Sequence, residues 1–140
     1  MSSTAVPKNA VVVDASAVFD LIRNTPLAPA LGSRLLRAEV ALYAPAVIDL
    51  EILQTMRRYV LHHEMDLEQA KAAFSSYATL DIMRFAHDPF FFRIWELRAN
   101  FTAYDAAYVA LAEVLRIPLI TLDARLAKAA PPTARVELFA

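Results

Sequence analysis

Four carboxylates occupy positions from which this sequence could do chemistry. Asp14 closes the apolar run Ala10–Val13, and Asp123 follows Leu119-Ile120-Thr121-Leu122, so both stand directly after stretches that read as buried strands. Glu51 lies in Val47-Ile48-Asp49-Leu50-Glu51-Ile52-Leu53 and Asp105 in Thr102-Ala103-Tyr104-Asp105-Ala106-Ala107-Tyr108, each early in a helical stretch. Their neighbours are apolar, and a carboxylate in such surroundings is costly unless it is hydrogen-bonded, paired or bound to a cation. If the four converge, their repulsion raises some of their pKa values until a cation enters. Hard divalent ions take oxygen ligands, and Mg²⁺ uses only a few carboxylates while keeping several waters.

Each acid also has a plain structural role. Asp14 and Asp123 can bond to backbone amides at the start of the next helix. Asp105, third after Thr102, fits a capping box. Glu51 shares a helical stripe with Gln54, Thr55, Arg58 and His62, as an ordinary solvated face would. Singly, none of the four makes a site; their combination is what singles them out.

Composition removes the competing chemistries. Gly32 is the only glycine in 140 residues, so neither a GxGxxG turn nor a Walker phosphate loop can be written. The absence of cysteine excludes thiolate nucleophiles, Cys-bearing zinc sites and cysteine-ligated iron–sulfur clusters, and fits a reducing, cytoplasmic setting. His62, His63 and His87 lack a metal-binding spacing. The net charge of -1 identifies no partner, although Arg, suited to bidentate phosphate contact, supplies most of the basic residues. The apolar run ending at Asp14 is too short for a signal-peptide core, and no stretch reaches the roughly 18 apolar residues of a membrane span.

The elements that must position the acids follow from periodicity and punctuation. Residues 1–9 read as an N-terminal arm and 10–140 as a single domain, large enough for one core. Short apolar strands are expected at 10–13, 40–43, 80–85, 117–122 and 136–139. Between them, helices are expected at 16–22 with Ser16 as cap, at 30–39, at 46–62 with Pro45 opening the first turn, and at 67–78 behind an Asp66/Gln69 capping box. Asp88-Pro89 should start a helix through Arg98, Thr102 one to Leu115, and Asp123 a short one to Ala129. Strands alternating with amphipathic helices predict an α/β fold, a central parallel sheet covered on both faces. In such sheets function collects at the carboxyl ends of the strands.

Four segments together resemble the PIN-domain ribonucleases, most of all the VapC toxins of bacterial toxin–antitoxin pairs. They are Val12-Val13-Asp14-Ala15-Ser16-Ala17; Ala44-Pro45 with Glu51-Ile52-Leu53-Gln54 and Arg57-Arg58; Thr102 through Glu113; and Pro118-Leu119-Ile120-Thr121-Leu122-Asp123-Ala124-Arg125-Leu126. The resemblance runs through nearly the whole chain in the family's order. Gln54 departs from it, standing where an Asn is often found. It implies a PIN-like fold, a parallel sheet of five strands flanked by helices, and an acidic site on Asp14, Glu51, Asp105 and Asp123 supported by Ser16. It further implies a Mg²⁺-dependent endoribonuclease, Mn²⁺ being able to substitute, with an RNA substrate, a homodimeric state and a cognate VapB-like antitoxin. Asp14, Asp105 and Asp123 would be ligands, with Glu51 a ligand or the group orienting the attacking water. Arg98 and Arg125 are the expected phosphate contacts. An RNA-processing nuclease that is not a toxin and a catalytically silent PIN-like binding module are the alternatives. A phosphoryl-transfer enzyme using Asp14 as nucleophile would want a second acid two residues on, where Ser16 stands. The aromatic segment 89–97 fits either a core helix or a protein interface, where aromatics are enriched.

Overall fold

The computed structural model describes residues 6–140. Strands β1 (Ala10–Val13), β2 (Ala41–Pro45), β3 (Ile82–Phe85), β4 (Leu119–Thr121) and β5 (Val136–Leu138) form one sheet in the order β3-β2-β1-β4-β5, with every pairing parallel. Around it pack helices α1 (Ala15–Ile22), α2 (Ala28–Leu35), α3 (Ile48–Leu61), α4 (Leu67–Thr79), α5 (Phe91–Glu96), α6 (Ala103–Leu115) and α7 (Ala124–Ala129). The expected α/β architecture with a five-stranded parallel sheet is therefore the observed one. Of the expected arm, residues 1–5 lie outside the described residues. In the remainder Val6 packs on the core, and the Ala10 amide closes a turn onto the Pro7 carbonyl at 3.1 Å.

β1 is central and wholly buried, which is why its four residues carry no polar alternation. α6 lies against β1 and β2 and is buried from Ala106 to Ala112, its alanines allowing close approach to the sheet. From β1 the chain steps outward to β2 and β3, then returns to place β4 on the other side of β1. The carboxyl ends of β1 and β4 thus flank a topological switch point, where an open α/β sheet leaves a crevice. Asp14 and Asp123 follow those two ends.

Several boundaries differ from expectation for local reasons. Asp14, not Ser16, caps α1, because its extended backbone and side chain reach the Ala17 amide. Pro45 ends β2 instead of opening α3. The ladder to β1 has already finished at Tyr43, so the missing N–H of Pro45 costs no bond, and Ala46 supplies the next one to Phe85. α2 begins earlier than expected, at Ala28 with Pro29 in its first turn, and ends at Leu35. Asp88 caps nothing: Asp88–Phe90 form a 3-10 turn, and α5 stops at Glu96. The Asp66/Gln69 capping box is formed as expected.

With one glycine in the chain, left-handed backbone falls to other residues. Asn24, His63 and Arg116 have φ near 58°, and Arg116 terminates α6. Among the described residues, no helix is long and apolar enough to cross a membrane.

Candidate active site

Asp14 is 5% exposed and held on three sides. Its Oδ1 accepts from the Ala17 amide at 3.0 Å and from Ser16 Oγ at 2.6 Å, while the Thr121 hydroxyl donates to Oδ2. Both hydroxyls also accept backbone amides from beyond β4: Leu122 N–H bonds Ser16 Oγ and Asp123 N–H bonds Thr121 Oγ1, each at 3.0 Å. Ser16 and Thr121 therefore stitch the end of β1 to the end of β4 through the Asp14 carboxylate. Burial pushes the Asp14 pKa up despite these bonds, and the charge of Asp105 adds to the rise.

The charges of the other three acids bear on this point directly or through Asp105. Glu51, in the first turn of α3, is half-buried, and Tyr108 on α6 donates its hydroxyl to Glu51 Oε1 at 2.5 Å. Its pKa is raised by burial and by the charges of Asp105 and Asp14. Asp105 sits in the first turn of α6, where its amide bonds the Thr102 hydroxyl at 3.1 Å. Only the Thr102 half of the expected capping box forms, since the Asp105 carboxylate does not reach back to the Thr102 amide. Burial and then Asp123 raise the Asp105 pKa, against the Thr102 hydroxyl and, less, the charge of Arg125. Asp123 caps α7, its Oδ1 accepting from the Arg125 and Leu126 amides at 2.9 and 3.3 Å. For Asp14 and Asp123 the capping role and membership in the acid group hold together, because each cap uses only part of a carboxylate.

Among the four acids, the charge of Asp105 bears on Asp14 and Glu51, that of Asp14 on Glu51, and that of Asp123 on Asp105. Ser16, the expected neighbour of Asp14, donates to it. Arg125, 94% exposed at its side chain, lies with Nε 3.8 Å from Asp123. Arg98 turns elsewhere: its Nη1 donates to the Trp95 carbonyl at 3.1 Å, and its guanidinium lies 4.4 Å from the Trp95 ring centre. His87 is exposed, its Nε2 accepting from the Val47 amide at 3.3 Å. Two supports were not singled out from sequence, Thr121 and Tyr108. Both were within the quoted segments, and the polar end of Leu119-Ile120-Thr121 and the Asp105/Tyr108 spacing of three were the available signals. A cavity of about 640 Å³ opens beside Glu51, lined by Leu50, Leu53, Gln54, Arg57, Arg58 and Tyr104 among others.

The donor set suits a hard divalent cation. Each carboxylate oxygen has about two acceptor positions. Asp14 uses three of its four on Ser16, Ala17 and Thr121, and Glu51 Oε2 and Asp123 Oδ2 accept no hydrogen bond among the described residues. Among the described residues no three His, Asp or Glu side chains form a ready-made ligand cluster.

The PIN domain family matches residues 11–131. The chain belongs to the PIN-domain family. Ribonuclease VapC12 of Mycobacterium tuberculosis is 38% identical over 130 residues, covering 93% of this chain and 99% of that relative. Ribonuclease VapC1 of the same organism is 41% identical over 119 residues, 84% of this chain and 89% of the relative. Among solved structures, PAE2754 from Pyrobaculum aerophilum superposes with a TM-score of 0.67 at 17% identity, covering 97% of this chain and 92% of that one. VapBC2 from Rickettsia felis gives a TM-score of 0.65 at 12% identity, covering 92% and 98%. At such identities the structural likeness carries the fold of this PIN domain, and the curated relatives carry its place among the VapC ribonucleases.

Proposed function

We propose that this PIN domain is a metal-dependent endoribonuclease that hydrolyses RNA phosphodiester bonds, acting as the cytoplasmic toxin of a pair with a VapB-like antitoxin. The observation that carries the reading is the coupling of four carboxylates at one switch point, three of them with pKa values raised by burial and by one another. Protein interiors tolerate such a group when a cation balances it. The identity of 38% to 41% with proteins named Ribonuclease VapC supports RNA as the substrate. The Rickettsia felis neighbour is a VapBC assembly, which supports an antitoxin partner.

Asp14, Asp105 and Asp123 would hold Mg²⁺, with Mn²⁺ able to replace it, and Glu51 would be a further ligand or orient the attacking water. The ion, when bound, neutralises phosphate charge and lowers the pKa of a water. The chain does the rest. Ser16 and Thr121 fix the Asp14 carboxylate, Glu51 presents Oε2 to the water, and Arg125 receives a flanking phosphate, a role that Arg98, turned onto Trp95, does not share. The single domain spans 10–140. Phe91, Phe92 and Trp95, 65%, 81% and 62% exposed, supply an apolar surface for a homodimer. The test is Asp14→Asn and Asp105→Asn. Each should abolish RNA cleavage while leaving the circular-dichroism spectrum intact, and normal cleavage by both purified variants refutes the site.

A further inference from the structure

We infer that Tyr108 is the positioning residue of Glu51, its hydroxyl holding one carboxylate oxygen so that the second is presented to the ion or the attacking water. The inference rests on the role just proposed for Glu51 and adds a residue that the acid pattern does not contain.

Tyr108 lies one turn after Asp105 on α6, so the two side chains leave the helix on neighbouring faces. It is 1% exposed and among the largest fully buried side chains of the protein. Filling that space requires an aromatic ring and no hydroxyl, since Phe has nearly the same shape. A buried phenol does require a partner. Here that partner is not a backbone carbonyl but Glu51 Oε1, 57 positions earlier in the chain and on another helix.

From the side of Glu51 the dependence is stronger still. Among the described residues, the Tyr108 hydroxyl is the only group that donates to the Glu51 carboxylate, and no Lys or Arg forms an ion pair with it. The nearby Thr55 hydroxyl bonds the Glu51 backbone carbonyl instead. Without Tyr108, three side-chain torsions of Glu51 would be unconstrained by any polar contact. The phenol O–H fixes Oε1 as an acceptor and leaves Oε2 as the oxygen available for chemistry. Tyr104, one turn earlier and 58% exposed, has no such contact.

The experiment uses the full chain with Tyr108→Phe, Glu51→Gln and the double variant. Mn²⁺ binding is measured by titration calorimetry, and steady-state cleavage is measured on an RNA that the wild type cuts. Tyr108→Phe should fold, with KM for RNA unchanged and a loss of roughly 10- to 100-fold in Mn²⁺ affinity or in kcat, the usual scale for a group that orients a metal ligand. In the Glu51→Gln background the same change should have no further effect, because Tyr108 acts only through that carboxylate. Wild-type values for Tyr108→Phe in both assays overturn the inference. So do losses that add in full in the double variant, or a Tyr108→Phe chain that does not fold, which would assign the hydroxyl to stability. A wild-type protein that neither binds Mn²⁺ nor cleaves RNA is a different result: it refutes the proposed function and removes this inference with it.

Discussion

Replacing Thr121 with Val should show that the join between β1 and β4 is a polar one. Thr121 is fully buried, donates to Asp14 Oδ2 and accepts the Asp123 amide at 3.0 Å. Val keeps the volume and removes both bonds. A hydrogen bond to a charged group contributes about 1.5 to 3 kcal/mol, and an amide left without its acceptor costs about 1 kcal/mol more in a half-buried place. The expected loss is therefore about 3 kcal/mol, or roughly 10 °C in Tm for a chain of this size. Thr121→Ser, which keeps the hydroxyl and loses one methyl, should cost only about 1 kcal/mol. Denaturant unfolding of the three proteins at neutral pH, without divalent ions, measures both. The pH dependence adds a second check. The bond favours the charged form of Asp14 and its loss raises that pKa further, so the gap between wild type and Thr121→Val should be full above the variant's Asp14 pKa and close as pH falls from there through the wild-type value. Equal losses for Val and Ser, or a gap independent of pH, would refute the reasoning and leave packing as the role of Thr121.

The remaining predictions concern the whole acid group and the surface. Asp14, Glu51 and Asp105 have folded pKa values above their unfolded ones, so without divalent ions stability should fall as pH rises from the ordinary carboxylate range through the folded values. Asp49, Glu113 and Glu137, held down by Arg84, Arg93 and Arg34, act in the opposite sense and lose their contribution only in stronger acid. Melting curves across pH with and without Mg²⁺ should therefore show ion-free stability greatest under mild acid and a gain from Mg²⁺ that grows toward neutrality; a flat ion-free profile contradicts this. Phe92→Ser, at the most exposed aromatic, should shift the solution mass from dimer to monomer without lowering Tm, and an unchanged mass counts against the α5 surface as the dimer contact. Arg116→Gly should stabilise by roughly 0.5 to 1 kcal/mol by relieving the left-handed end of α6, measured by urea unfolding; a loss of stability would mean that the Arg116 side chain contributes more than its backbone costs.

Much of the frame was legible because the informative signals were local. A β-branched run ending at Asp14, and Leu119-Ile120-Thr121 ending two residues before Asp123, mark strand ends without any tertiary knowledge. Asp105, first turn of an alanine-rich helix, could be placed from Thr102 alone. Glu51 was harder: its stripe with Gln54, Thr55 and Arg58 reads as solvated, and only the contact with Tyr108 turns its carboxylate inward. Thr121 and Tyr108 were hidden for the same reason. Each belongs to an apolar segment, and its polar role exists only once β4 lies beside β1, or α6 against α3. Pro45 misled because its fitness for a first helical turn is intrinsic, whereas its harmlessness at the end of β2 depends on where β1 stops. The aromatic segment was ambiguous because composition does not say which face is covered, and α5, six residues long, leaves Phe91, Phe92 and Trp95 exposed.

The most direct test of the central claim is cleavage of total cellular RNA by the purified protein with Mg²⁺, with Mn²⁺ and with chelator, the cut ends being mapped. The account predicts discrete new ends with either ion, none with chelator, and none from Asp105→Asn under any condition. Cleavage that survives chelation, or that Asp105→Asn performs as well as the wild type, would contradict an acid-held ion as the agent of the reaction.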